Sequence, residues 1–81
     1  MNNEIKKEYS TSDISLASYL KCLKYEILDI KKEGSKLTLI FKDKENRKKD
    51  TLDFFNNSGT VEPNLFAKAM HDLKGLIHNI D

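Results

Sequence analysis

Two histidines, one cysteine, a run of hydroxyl and carboxyl side chains, and one basic segment are the residues of this chain whose types lend themselves to chemistry. His71 and His78 are seven residues apart, about two helical turns or ~10 Å, whereas two imidazoles on one helix reach a common ion at i,i+4. They read as solvated surface residues rather than ligands, with a metal shared between two chains as the remaining alternative. Thr11, Ser12 and Asp13 offer a hydroxyl and a carboxylate, but activating a hydroxyl needs a base in contact, and no histidine lies near in sequence. Three such residues ahead of an apolar stripe are better explained as helix caps, whose oxygens accept hydrogen bonds from free amides of the first turn. Cys22 stands alone, which excludes a disulfide framework within the chain. Its neighbours Lys21 and Lys24 favour the thiolate, the end of a helix opposes it, and a partly buried structural thiol is expected. Glycines 34, 59 and 75 are isolated, so no phosphate-cradling loop is spelled out. No catalytic residue, metal site or cofactor is expected, and the chain reads as a non-enzymatic protein.

The basic segment is the best nucleic-acid candidate. Lys42, Lys44, Arg47, Lys48 and Lys49 would track a phosphate backbone, with Tyr25 as a stacking platform across the ribbon. Asp43, Glu45 and Asp50 are interleaved and work against it. The whole chain carries 14 Lys+Arg against 13 Asp+Glu, a formal +1, where dedicated nucleic-acid binders show a clear basic excess. A charge run beside a turn is ordinarily a solubilising face.

The elements that would position these groups follow from patterning. At 81 residues there is room for one small domain, near the size at which a single core suffices only marginally. Residues 1–8 are mostly polar, with Ile5 the apolar exception, and read as a flexible N-terminal arm, leaving 9–81 as a single α+β domain. Leu16, Ala17, Leu20 and Leu23 recur at helical spacing behind the caps, so a first helix is expected from about Ser12 to Cys22. Tyr25–Lys31 and Lys36–Lys42 alternate apolar and charged residues around Lys32-Glu-Gly-Ser35, which predicts an antiparallel β-hairpin. With Glu33-Gly34 as the turn, Leu28, Ile30, Leu37, Leu39 and Phe41 face the core. The other face then carries Tyr25, Ile27 and Ile40, an apolar strip that needs a covering helix or a partner. These three are the candidate protein interface, for a foreign protein or for a second copy in a homodimer.

A short helix with Leu52, Phe54 and Phe55 is expected next, ended by Asn56-Asn-Ser-Gly59. Glu62-Pro63 opens a C-terminal helix whose stripe is Phe66, Ala69, Met70, Leu73 and Ile77. The expected core is Leu16, Leu20, Leu28, Ile30, Leu39, Phe41, Phe55, Phe66, Met70 and Leu73. No apolar run spans a bilayer and the start lacks an apolar export signal, so no membrane partner and a cytoplasmic location are expected.

Tyr9-Ser-Thr-Ser-Asp13 with Leu16-Ala17 and Tyr19-Leu20, then Phe41-Lys-Asp43, Phe54-Phe55-Asn56, and Val61-Glu-Pro63 with Phe66, Ala69, Leu73 and Lys74, resemble a small prokaryotic and phage family. That family is domain of unknown function 5659. Its signature consists of caps, core residues and turns, and it carries no activity. The resemblance implies an accessory protein of a phage or mobile element more than a metabolic enzyme; the residues themselves point to action through protein contact, with weak nucleic-acid binding as the alternative.

Overall fold

The computed structural model describes residues 7–80. Element order is β1 (Glu8–Thr11), α1 (Ile14–Cys22), β2 (Ile27–Glu33), β3 (Lys36–Lys42), α2 (Arg47–Phe55) and α3 (Pro63–His78). The fold is therefore α+β, a three-stranded antiparallel sheet in the order β1-β3-β2 with three helices. The helix, hairpin, helix, helix order is as the sequence implies, and β1 is an addition to it. Of the arm expected at residues 1–8, residues 1–6 lie outside the described part, while Glu8 pairs with Lys42 as the first residue of β1.

The caps do what their chemistry suggests. Asp13 is the N-cap of α1, its Oδ1 accepting from the Leu16 amide at 3.1 Å, so the helix starts two residues later than Ser12. The Ser12 hydroxyl donates instead to the Leu37 carbonyl, and Thr11 Oγ1 accepts from the Asp13 amide. At the other end, Lys24 adopts a left-handed φ of 72°, and the Tyr25 and Lys24 amides return to the Leu20 and Lys21 carbonyls. That pattern is a Schellman motif with lysine in the position glycine prefers. α2 ends the same way, with Asn57 at φ 58°. α3 opens with Glu62 capping the Leu65 amide and Pro63 in its first turn, and it runs through Gly75 to His78.

The hairpin departs from expectation in two ways. Its turn is Gly34-Ser35, since Glu33 pairs with Lys36, and the positive φ of 63° falls on Gly34 alone, the pattern of a II′ turn. A turn at Glu33-Gly34 would set Ile30 opposite Leu37; Ile30 instead faces Leu39, a slip of two residues that leaves the faces unchanged. The second departure does change them. Ile27 pairs with Phe41 and Asp29 with Ile40, so Leu28 is the extra residue of a β-bulge. Leu28 is 45 % exposed and is not core, and the chain before it turns inward: Ile27 packs against the core and Tyr25 is buried.

Helices cover one face of the sheet. Leu16, Leu20, Leu39, Phe41 and Leu73 are fully buried at the centre, with Ile30, Leu37 and Phe66 packed around them. Met70 is half-buried, whereas Phe55, which the sequence assigns to the core, is 59 % exposed and lies outside it. The opposite sheet face presents Ser10, Asp29, Lys31, Glu33, Lys36 and Lys42 to solvent. Ile40 is the apolar exception there, shielded by Glu8, Ser10, Lys31 and Thr38 around it.

Candidate functional site: an aromatic groove beside α2

The apolar strip expected on the outer ribbon face does not exist as a surface. Tyr25 and Ile27 point inward because of the bulge at Leu28, and Ile40 sits on the outer face among polar neighbours, 9 % exposed. The three residues of the candidate interface are not brought together on one face.

The basic segment is likewise rearranged. Arg47 Nε is 3.1 Å from Asp43 Oδ1, and its guanidinium lies 4.2 Å from the centre of the Tyr9 ring. Lys44 sits 4.4 Å over the Tyr25 ring and donates to the Leu23 carbonyl. Lys49 pairs with Asp53 at 2.8 Å, one helical turn along α2. Lys42 is exposed on the outer sheet face and Lys48 is exposed on α2. Tyr25 is no stacking platform: its ring is covered by Lys44 and edge-on to Phe41, and its hydroxyl donates to Asp50 at 2.7 Å. Burial first, and the Asp50 hydrogen bond second, hold its phenol well above the usual range.

Among the described residues, no group of three His, Cys, Asp or Glu is gathered in a way that would hold a metal ion. His71 and His78 are both exposed on α3. Burial pushes the Cys22 thiol up despite Lys21 and Lys24, which leaves it a poor nucleophile at neutral pH. No helix among the described residues is long and apolar enough to cross a membrane.

What the tertiary structure does assemble is an apolar groove. Tyr19 from α1, Phe54 from α2, Val61 from the connecting loop and Phe66 from α3 form its walls, with Asn57, Thr60 and Pro63 at the rim; it is open to solvent and has a volume of about 520 Å³. Tyr19 and Phe54 meet with ring centroids 5.4 Å apart, and Phe55 continues the aromatic row edge-on at 5.2 Å from Phe54. Gly59 is what allows the loop to close against α1: a Cβ there would run into the Tyr19 hydroxyl and ring. Leu52, 52 % exposed, stands three residues before Phe55 on the same side of α2.

The exposure of Phe55 beside the groove was legible in the sequence. Adjacent residues on a helix point about 100° apart, so Phe54 and Phe55 cannot both enter a core on one side. Leu52 and Phe55 at i,i+3, with Lys48 one turn before Leu52, mark the exposed side. The part played by Val61 and Gly59 was not legible, since it depends on the loop folding back over Tyr19.

No curated protein and no solved structure matches the chain. A family model does match, over residues 6–79, nearly its full length. The caps, the buried leucines and the α3 opening through which the sequence resembled that family are the same residues that build the fold, and the chain belongs to the family described as Domain of unknown function (DUF5659).

Proposed function

We propose that the protein is a small non-enzymatic interaction module that holds an apolar anchor side chain of a partner protein in the groove beside α2. The observation that carries this reading is the aromatic row Tyr19, Phe54 and Phe55: the first two line an open apolar trough, Phe55, 59 % exposed, extends the row outward from Phe54, and Leu52, 52 % exposed, stands one turn before Phe55 on α2. Contiguous exposed apolar surface of this kind is uncommon on a monomer and marks contact sites. An open trough also suits a protruding side chain better than a small molecule, which tight sites enclose on most sides. Aromatic residues in a preformed recess are the usual energetic centre of protein interfaces. An accessory role in a phage or mobile element is the setting we propose for it.

Binding to nucleic acid is the second reading and has less support. Arg47 and Lys49 are paired with carboxylates of their own chain, and Lys44 is engaged by Tyr25 and Leu23.

Selection of peptides from a displayed random library tests the first reading. Enriched peptides are expected to carry an aromatic or aliphatic anchor, to shift the NMR signals of Tyr19, Phe54, Val61 and Phe66, and to lose affinity for a folded Leu52→Ser, Phe55→Ser variant. Peptides that bind the variant equally well, or shift only the sheet face, would overturn it.

A further inference from the structure

The sheet has a second unpartnered feature, independent of the groove. Among the described residues, the order β1-β3-β2 leaves one side of β2 with no strand beside it, and β2 is seven residues long, where β1 at the other edge is four. An open edge of this length is a template for another strand unless something blunts it. In the hairpin, Glu33 opposite Lys36 closes the turn, so hydrogen-bonded pairs recur at every second residue and the backbone groups of Ile30 and Lys32 point away from β3. The Ile30 amide is therefore an edge donor. Asp29 occupies it: its Oδ1 accepts from that amide at 2.8 Å.

The sequence around Ile30 is self-complementary. If two β2 strands run antiparallel with Ile30 opposite Ile30, then Asp29 faces Lys31 and Lys31 faces Asp29, both on the outer sheet face, while Lys32 lies opposite Leu28. Both ion pairs form across a two-fold axis from a single strand segment, which is what an isologous interface requires. Ile30 lies on the core side of the sheet, so the two central isoleucines would join the apolar layers of the two copies. The bulged Leu28, 45 % exposed in the single chain, gains cover from the Lys32 stem of the other copy.

From this geometry we infer that β2 is a self-association edge: two copies pair their β2 strands antiparallel about Ile30 and form one six-stranded sheet. Asp29 is the switch between the states. In the single chain it closes the edge by capping the Ile30 amide; in the pair it releases that amide to the Ile30 carbonyl of the second copy and turns to Lys31 there. The occupant of the edge is a second copy and not a foreign strand, because the charge order Asp29-Ile30-Lys31 is complementary to its own reverse.

Charge reversal tests the register. Sedimentation or light scattering at hundreds of micromolar is expected to find dimer in the wild type. Asp29→Lys and Lys31→Asp each place like charges opposite one another twice, and each is expected to weaken the dimer by about tenfold or more. The double variant Asp29→Lys, Lys31→Asp restores opposite charges and is expected to regain the dimer. Circular dichroism checks folding throughout. Lys31→Asp leaves the Ile30 cap untouched, so its effect is separable from loss of that cap. A monomeric wild type, single reversals without effect, or a double variant that does not recover would each overturn the inference. So would a dimer that is abolished by Leu52→Ser with Phe55→Ser, because that dimer uses the groove.

Discussion

The Tyr25 hydroxyl donates a 2.7 Å hydrogen bond to Asp50 Oδ2, which ties the chain entering β2 to the first turn of α2. The same oxygen accepts from Asn46 Nδ2 at 2.9 Å, so one carboxylate fixes both the start of α2 and the ring that packs against Phe41. Tyr25→Phe keeps the ring and removes the donor; stability is expected to fall by ~1–3 kcal/mol in urea denaturation, since a part-buried charged acceptor loses a partner. The phenol pKa is raised in the folded chain from the model-peptide value of 10.0, so its contribution is complete below about pH 10 and declines as pH rises above that. The variant is therefore expected to lose less stability than the wild type on going above pH ~10. An identical alkaline decline in both would remove Tyr25 from the account.

At the end of α1, Lys24 holds a left-handed backbone at φ 72° and its side chain is exposed. Glycine relieves the Cβ clash of that conformation and loses some unfolded-state restriction in return. Lys24→Gly is expected to stabilise the protein by about 0.5–1 kcal/mol, and Lys24→Val to destabilise it. Thermal melting of the two variants against wild type is sufficient, and a glycine variant that melts lower would contradict the Schellman end.

Arg47 is bound to Asp43 and stacked on Tyr9, with about a quarter of each charged side chain exposed. Arg47→Gln is expected to cost about 0.5–1.5 kcal/mol, whereas Lys48→Gln, on an exposed side chain, leaves the midpoint unchanged. In fluorescence anisotropy with labelled DNA or RNA at low salt, no binding is expected at protein concentrations of tens of micromolar. Salt-sensitive binding that weakens in Lys48→Gln would move the nucleic-acid reading to first place.

Leu73 and Leu28 contrast a true core leucine with a bulged one. Leu73 is 0 % exposed and Leu28 45 %. Leu73→Ala is expected to cost ~2–5 kcal/mol. Leu28→Ser is expected to stay within about 0.5 kcal/mol, provided the measurement is made at a concentration where the chain is monomeric. Equal losses at the two sites would mean that Leu28 is packed.

Local chemistry was enough to determine the helices. Asp13 before Leu16, Glu62-Pro63 before Phe66 and Asn56-Asn57 after Phe55 each satisfy or terminate a helix within a few residues of themselves, so nothing distant had to be known. The buried positions of α1 and α3, Leu16, Leu20, Ala69 and Leu73, follow from the same 3.6-residue period. The sheet was decided elsewhere. β1 has no signal of its own, because four residues become a strand only when β3 supplies the facing hydrogen bonds some thirty positions away. Period-2 reasoning carried β2 correctly from Glu33 back to Asp29 and failed at Leu28, where one inserted residue exchanges the two faces for everything before it. That single bulge turns Tyr25 and Ile27 inward, and Tyr25 stays there because Asp50, brought up by α2, satisfies its hydroxyl. The aromatic groove has the same origin: Tyr19, Phe54 and Phe66 lie on three helices, and only the close approach of the Gly59 loop makes one surface of them.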